Sequence, residues 1–572
     1  MTAPDERAAM ALKNGVPWRD ALEALLRELD RLRAEELMMR LNEGRGSFAL
    51  TLGVDSGQAL LVGEPLSGTA IALEHLGFSV CTLTSDRLGM MLARGRARDL
   101  HGSSPYAVSG DIQQLPFRDN AFDLVVHEGG PAAGWQRTVG ELARVVRGEL
   151  VLIGDNPLAY KRALGRRGQF VHATPLGFVY RLIRRPRHEA RLGEMRGMLQ
   201  GQGLRSPRSF ALYPHALEFS HIVGLDGKGP KLTIGPRERK NRVKLLAHRL
   251  GLFSTFTPSF CVHAARRPNP TRLTRVLAAL HERTGLDPGD VEHLVATRSN
   301  SALVLTRGPD ALCLHVPLSP SKRRLTEIHH AFLQDVARRF PGVPIPRAVF
   351  AGELQNTWIQ AETRLPGLSA PHLTGTALAT GGLLGNVALE LAKLLVRPAE
   401  PLDRETFDRL LGQRCAEVQR RSGLASTAKA LGRMMDRGAE RLIGKSIPLV
   451  LYHADARAKH IQVDPLGGIV GLMDWGASED EFLPLADLGH LFVHQRKQSH
   501  GGTVGDAWRA LGQRDSRTEG ERLALSRYGD ALEIDEETMD ALIELIPLMI
   551  AGMAERNWDY SRPVWVHRQF GL

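Results

Sequence analysis

The stretch LVLYHADARAKHIQVDPLGGIVGLMDWGASEDEFLPLADLGHL gathers the residues best suited to do chemistry. His453-x-Asp455 follows an apolar strand, His460 stands five residues beyond that Asp, and a second strand, GIVGLM, delivers Asp474 and Trp475. Phosphoryl transfer asks little of a protein, because metal and nucleotide supply most of the charge. One carboxylate orients or deprotonates the acceptor hydroxyl. A side chain a short loop away holds a metal ion, and a carboxylate at the next strand's end bridges metal to phosphates. Asp455, position 460 and Asp474 have that arrangement.

Those residues sit in a chain of 572, long enough for three or four structural units. Apolar residues at 43% and charged residues at 24% describe a globular protein rather than a disordered one. The excess of 74 Lys and Arg over 63 Asp and Glu, +11 in all, is modest for this length and favours anionic partners without selecting one. Cys81, Cys261, Cys313 and Cys415 lie far apart with no C-x-x-C pair, which argues against a disulfide framework and a structural zinc site and for a reducing cytoplasm. MTAPDERAAM is not a secretory signal, and the longest apolar stretch, Leu542 to Ala554, is too short to span a bilayer and contains Glu544. The expectation is a soluble cytoplasmic protein of unknown oligomeric state.

Hydrophobic periodicity divides the chain. Residues 1–45 form a helical segment in which Leu22, Leu25, Leu26, Leu29 and Leu32 recur at helical spacing, either to pack on the next domain or as a dimerising helix. In 46–155 the runs ALLVG, FSVCTLT, FDLVV and GELVLIG alternate with helical stretches, so a parallel sheet with helices on both faces is expected. Residues 156–265 are a basic extension, in which FVYRLIRRPRHEARL and GPRERKNRVKLLAHRLG read as solvated helix faces or as a peripheral docking surface for an anionic substrate or lipid head group. A Pro-rich linker covers 266–272. In 273–367, VEHLVATRS, SALVLTRG and ALCLHVP are strand-like, a helix follows, and two more strands lie around AVFAGEL and TWIQAETRLPG; 368–572 is mainly helical.

The ordered set from residue 274 to 500 resembles the aminoglycoside phosphotransferase and choline kinase family, whose fold is that of protein kinases. The resemblance implies an α+β two-lobed domain, with 273–367 as small lobe and 368–572 as large lobe. It implies ATP with Mg or Mn, Asp455 and its neighbour Lys459 in catalysis, position 460 and Asp474 on the metal, and Asp487 bracing the loop. ATRSNSALVL looks like the nucleotide loop, where Ser299 and Asn300 would cover the phosphates, and ETRLPG around Glu362 resembles the hinge. Two positions depart from the pattern. His460 replaces the family's metal-binding Asn, and imidazole is a poor ligand for magnesium. His315 stands where a Lys or Arg usually meets the phosphates, with Glu327 as the partner of that missing cation.

Gly63-Glu-Pro-Leu-Ser-Gly68-Thr follows the strand ALLV, and SGDIQQLPFRDNAFDLVVHEGG lies further on. Together they resemble the class I S-adenosylmethionine-dependent methyltransferases, implying a doubly wound α/β sheet, with Gly63, Glu64 and Gly68 in the glycine turn and Asp111 and Ile112 flanking the adenine. Pro65 and bulkier residues replace closely spaced glycines there. Thr84 stands where the ribose-gripping acid belongs, with Asp86 two positions late. His127 and Glu128 are either substrate-facing or a surface pair without a role.

Three function classes remain at this point. The first is an ATP-dependent phosphotransferase acting on a hydroxyl of a small molecule or glycan, fused to a degenerate methyltransferase-like domain. The second is a non-catalytic scaffold, and the third a bifunctional enzyme that also methylates a polysaccharide. Nucleic acid is not an expected partner, because the basic clusters lack interleaved aromatics.

Overall fold

The strands of residues 57–155 bury side chains on both faces, as helices on both sides of a parallel sheet require. Ala59 and Leu61 enter one core with Val126 and Val151, while Leu60 and Val62 enter the opposite core with Val125 and Leu150. The computed structural model describes residues 4–30, 43–101, 106–129, 135–156, 191–216, 219–226, 257–297, 300–370, 382–422 and 425–557, with a few isolated positions between them. Apart from Arg191 and Leu192, both basic runs of the 156–265 extension lie outside the described residues.

Eight strands come first: β1 (Gly57–Val62), β2 (Phe78–Leu83), β3 (Tyr106–Val108), β4 (Phe122–Glu128), β5 (Val146–Asp155), β6 (Arg205–Tyr213), β7 (His221–Gly224) and β8 (Ser259–Ala265). The order β3-β2-β1-β4-β5 is parallel throughout, and β8 inserts antiparallel between β5 and β6. This is the doubly wound, methyltransferase-like α/β sheet, and its strand order reverses at β1 and β4. The N-terminal helix Trp18–Glu28 buries Trp18, Leu22 and Leu25 and is pinned to the helix Arg87–His101 where the Trp18 N–H donates to Asp99, 2.6 Å away.

The sheet continues past this domain. β7 pairs antiparallel with β9 (Asp290–Ala296), matching Ile222 with Leu294, and beyond it lie β10 (Ser301–Arg307), β11 (Leu312–Pro317), β12 (Ala348–Leu354) and β13 (Thr357–Thr363). Among the described residues, thirteen strands form one sheet in the order β12-β13-β11-β10-β9-β7-β6-β8-β5-β4-β1-β2-β3. One core runs with it, from Leu61 and Phe210 through Leu273 and Leu277 to Val304, Leu314 and Ile359. Residues 1–326 with 349–362 accordingly make one compact unit, and 327–348 with 363–572 make the other.

The second unit is mainly helical and holds two three-stranded sheets, one of β14 (Leu368–Ser369), β17 (Ile461–Val463) and β18 (Ile469–Leu472), the other of β15 (Leu395–Pro401), β16 (Ser446–Tyr452) and β19 (Glu479–Phe482). Its helices pack closely: a Cβ added to Gly438 would lie 2.7 Å from a methyl of Leu545. Antiparallel strands with a helix after the third, Pro320–Arg339, followed by this helical unit, give the α+β element order of a protein-kinase-like fold. No helix among the described residues is long and apolar enough to cross a membrane.

Burial lowers His127, at the end of β4, from the ordinary imidazole value of 6.5 to about 4. A base depressed in the folded state contributes stability that is complete above pH 6.5 and lost as pH falls toward 4, in all about 3 kcal/mol. His127→Leu is therefore expected to flatten the acid limb of a urea-denaturation series; an unchanged pH slope would contradict this.

Candidate active site

Tyr452 ends β16, fully buried and stacked on Phe482 at 4.6 Å between ring centres, and the chain leaves through His453, Ala454 and Asp455. Asp487, at the start of the helix Ala486–His500, accepts the N–H groups of His453 and Ala454, each at 2.8 Å. Those bonds hold Ala454 at φ +68°, a conformation that L side chains avoid. The buried indole of Trp475 packs on His453 at 4.4 Å, and His453 Nε2 donates to the Met473 carbonyl at 2.9 Å. Burial lowers His453 to about 4, so it braces the loop as a neutral ring.

A short 3-10 turn, Ala458–His460, brings His460 back toward Asp455. Its Nδ1 stands 2.8 Å from the Asp455 carbonyl oxygen, which only accepts, so Nδ1 carries the hydrogen. Burial lowers the His460 pKa despite Asp474 and Asp455, which favours the neutral ring and leaves a lone pair on Nε2. That nitrogen faces Asp474 Oδ2 at 3.2 Å. A proton or a metal cation shared between the two atoms would bridge them. Asp474 itself sits at φ +68° at the end of the loop from β18, and Asp455, His460 and Asp474 can each present one ligand atom within 4.8 Å of the others. Arg457 forms an ion pair with the Asp455 carboxylate, whereas Lys459 is exposed.

In the first unit, Ser299 lies outside the described residues. Asn300 is buried at φ +52°, its carbonyl accepts from Leu318 N–H at 2.8 Å, and its side-chain oxygen has no hydrogen-bond partner among the described residues. His315 Nε2 stands 3.3 Å from Glu362 Oε1 and 3.8 Å from Cys313 Sγ. Burial pulls His315 toward neutrality, but Glu362 and then Cys313 more than offset it and raise its pKa well above the ordinary value. Glu362, read in sequence as part of the hinge, is thus a partner of His315. Glu327 lies on the helix Pro320–Arg339, in the second unit.

At the reversal between β1 and β4, Gly63 adopts φ +146°, and a Cβ there would meet the Glu128 carbonyl oxygen at 2.4 Å. Glu64 accepts from Arg40 at 2.7 Å and from the Leu66 N–H at 3.0 Å. Arg40 also ion-pairs with Asp86, whose other oxygen accepts from Gly89 N–H at 2.8 Å. One guanidinium therefore occupies both carboxylates at this edge of the sheet. Gly68 caps the helix Thr69–His75, Asp111 is exposed and accepts from Gln113 N–H at 2.9 Å, and Ile112 is half-buried. His127 and Glu128 are not a surface pair. His127 packs on Trp135, and Glu128 bonds the Thr69 hydroxyl and faces Arg45 at 3.7 Å.

No protein-family model matches the chain, and no curated protein matches its sequence. Solved structures resemble it one part at a time. Aminoglycoside phosphotransferase APH(3'')-Id from Streptomyces rimosus, a protein also solved with ADP and streptomycin, is 20% identical over 48% of this chain and 98% of its own, with a TM-score of 0.32. Macrolide 2'-phosphotransferase MphH from Brachybacterium faecium is 16% identical over 48% of this chain and 91% of its own, with a TM-score of 0.34. A SAM-dependent methyltransferase from Thermotoga maritima is 13% identical over 42% of this chain and 98% of its own, with a TM-score of 0.27. Both likenesses are distant. What fixes the two folds is the strand order of the chain itself.

The structure gathers Asp455, His460 and Asp474 in the second unit, and His315 with Glu362 in the first. Sequence reasoning missed Arg40 and Cys313 as site residues. Arg457, two residues from Asp455, is legible as positive charge beside that carboxylate; Arg40 is 24 residues from Glu64 and 46 from Asp86, and nothing local announces it.

Proposed function

We propose that this chain is an ATP-dependent phosphotransferase whose acceptor is a hydroxyl of a small molecule or glycan. The observation that carries the reading is the pairing of the His460 Nε2 lone pair with Asp474 Oδ2 beside Asp455. A mixed nitrogen and oxygen donor set fits a divalent cation that accepts imidazole more readily than magnesium does, such as manganese, and His460 and Asp474 would hold it. When bound, the cation offsets charge on the nucleotide phosphates. Asp455 faces the acceptor and takes its proton, Arg457 fixes the orientation of that carboxylate, and Asp487 with His453 keeps the loop in its strained shape. Ser299, Asn300, His315, Glu327 and Glu362 belong to the nucleotide side in this reading, and Lys459 to the solvent edge of the acceptor side.

The test is phosphate transfer to a panel of sugars and glycan fragments, read as ADP release. Manganese is expected to support more turnover than magnesium. His460→Asn, which restores an oxygen ligand, should raise the magnesium-supported rate. A magnesium rate no higher than wild type would remove His460 from the metal.

The methyltransferase-like domain is, in the same reading, a retained scaffold with a weakened cofactor site, because Arg40 already engages Glu64 and Asp86. Calorimetry should show no micromolar S-adenosylmethionine binding in the wild type and tighter binding in Arg40→Ala, which frees both carboxylates. A micromolar constant for the wild type would show that Arg40 does not block the site.

A further inference from the structure

Cys313 and His315 are two residues apart on β11, so their side chains leave the same face of the sheet. β13 is the neighbouring strand, and it brings Gln360 and Glu362, also two apart, to the same place. The intervening residues Leu314, Val316, Ile359 and Ala361 are buried in the core on the opposite face, while Cys313 and His315 remain partly exposed.

From this juxtaposition we infer that Cys313, His315 and Glu362 form a binding site for zinc. Three observations support it. The ligand types are thiolate, imidazole and carboxylate, the set zinc accepts and magnesium does not. The spacing fits. Bonds of usual zinc length at tetrahedral angles place sulfur and nitrogen roughly 3.6 Å apart and nitrogen and oxygen roughly 3.4 Å apart. Here Cys313 Sγ and His315 Nε2 are 3.8 Å apart, His315 Nε2 and Glu362 Oε1 are 3.3 Å apart, and the three ligand atoms all lie within 4.8 Å of one another. The carboxylate is also held from behind: Gln360, fully buried, donates Nε2 to Glu362 Oε2 at 3.1 Å, leaving Oε1 toward His315. Such a second contact orients a ligand oxygen before the metal arrives.

Binding balances in charge. Zinc arrives as a doubly charged ion and displaces two protons, one from the Cys313 thiol and one from the His315 ring, so the cluster's net charge is unchanged. With three protein ligands, the fourth tetrahedral position stays open to water or an anionic ligand. The site shares His315 and Glu362 with the nucleotide side of the proposed phosphotransferase, but metal binding there is tested without any activity readout. It also differs in kind from the cluster of Asp455, His460 and Asp474, which offers no sulfur.

The experiment uses the full chain with zinc and cobalt chlorides as probes. Cobalt is expected to give a thiolate-to-metal charge-transfer band and tetrahedral d–d absorption, and one equivalent of zinc should abolish both. Cys313→Ser should lose the charge-transfer band, Cys81→Ser should keep it, and Gln360→Ala should weaken the metal by about 10- to 100-fold. A readout on the wild type does not depend on the variants folding. Zinc should protect Cys313 from alkylation, measured peptide by peptide, while Cys81, also partly exposed, reacts at its metal-free rate. Absence of the thiolate band, or equal alkylation of Cys313 with and without zinc, would overturn the site and leave a protonated His315 paired with Glu362.

Discussion

Asp455→Asn is expected to lower acceptor-dependent ADP release by about a hundredfold to ten-thousandfold, the range supplied by a positioned general base. The substitution keeps the shape of the side chain and removes its charge and its ability to take a proton. Asp487 still holds the loop through His453 and Ala454, so the loop itself should persist. The loss should therefore fall on kcat, with the KM for ATP little changed. Arg457 also loses its anionic partner, so Arg457→Ala is the natural control: it should cost less than Asp455→Asn, because it loosens the carboxylate without removing it. Equal rates for wild type and Asp455→Asn would take proton transfer away from this residue.

The largest expected effect on stability lies far from that loop. Arg272 is fully buried, and its guanidinium donates to the carbonyl of Asn356 at 3.1 Å, the hydroxyl of Thr357 at 3.0 Å, the carbonyl of Leu76 at 3.3 Å and the carbonyl of Asp55. Its own N–H donates to the Leu52 carbonyl at 2.7 Å. Burial lowers its pKa to about 10, which still leaves it charged at neutral pH. One side chain thus ties segments before β1 and after β12 across the extended sheet. Arg272→Leu would remove the donor to the buried Thr357 hydroxyl and Leu76 carbonyl and to the part-buried Asn356 and Asp55 carbonyls, and is expected to destabilise this unit by about 3–5 kcal/mol. Urea unfolding followed by the fluorescence of a tryptophan of this unit measures it. A change below about 1 kcal/mol would mean that water replaces the guanidinium at little cost.

Both folds were legible in the sequence because their signals are local. Apolar runs alternating with helical stretches gave the parallel sheet, and the ordered HADARAKH and LMDW segments gave the catalytic loop and the strand that follows it. The three residues that meet there are at most 19 positions apart, so spacing was informative. The joined sheet was not legible. β7 is only four residues long, and its pairing with β9 is made by backbone groups that any sequence supplies. Arg40 reaches Glu64 and Asp86 through tertiary packing alone. The Cys-x-His spacing on β11 was visible, but its third member stands 47 residues beyond His315 on a strand whose register no local pattern fixes. The search for paired cysteines could not find a site built on one.

The central claim, a metal-dependent nucleotide site, is most directly tested by titrating the full chain with ATP in the presence and absence of manganese. The full chain is required because a fragment starting near residue 271 would strip β9 of its partner β7. The account predicts saturable ATP binding that needs the metal and is lost in Asp474→Asn, with the fold intact by circular dichroism. No binding at millimolar ATP, or binding of equal strength without manganese and in Asp474→Asn, would contradict it and leave the chain a scaffold.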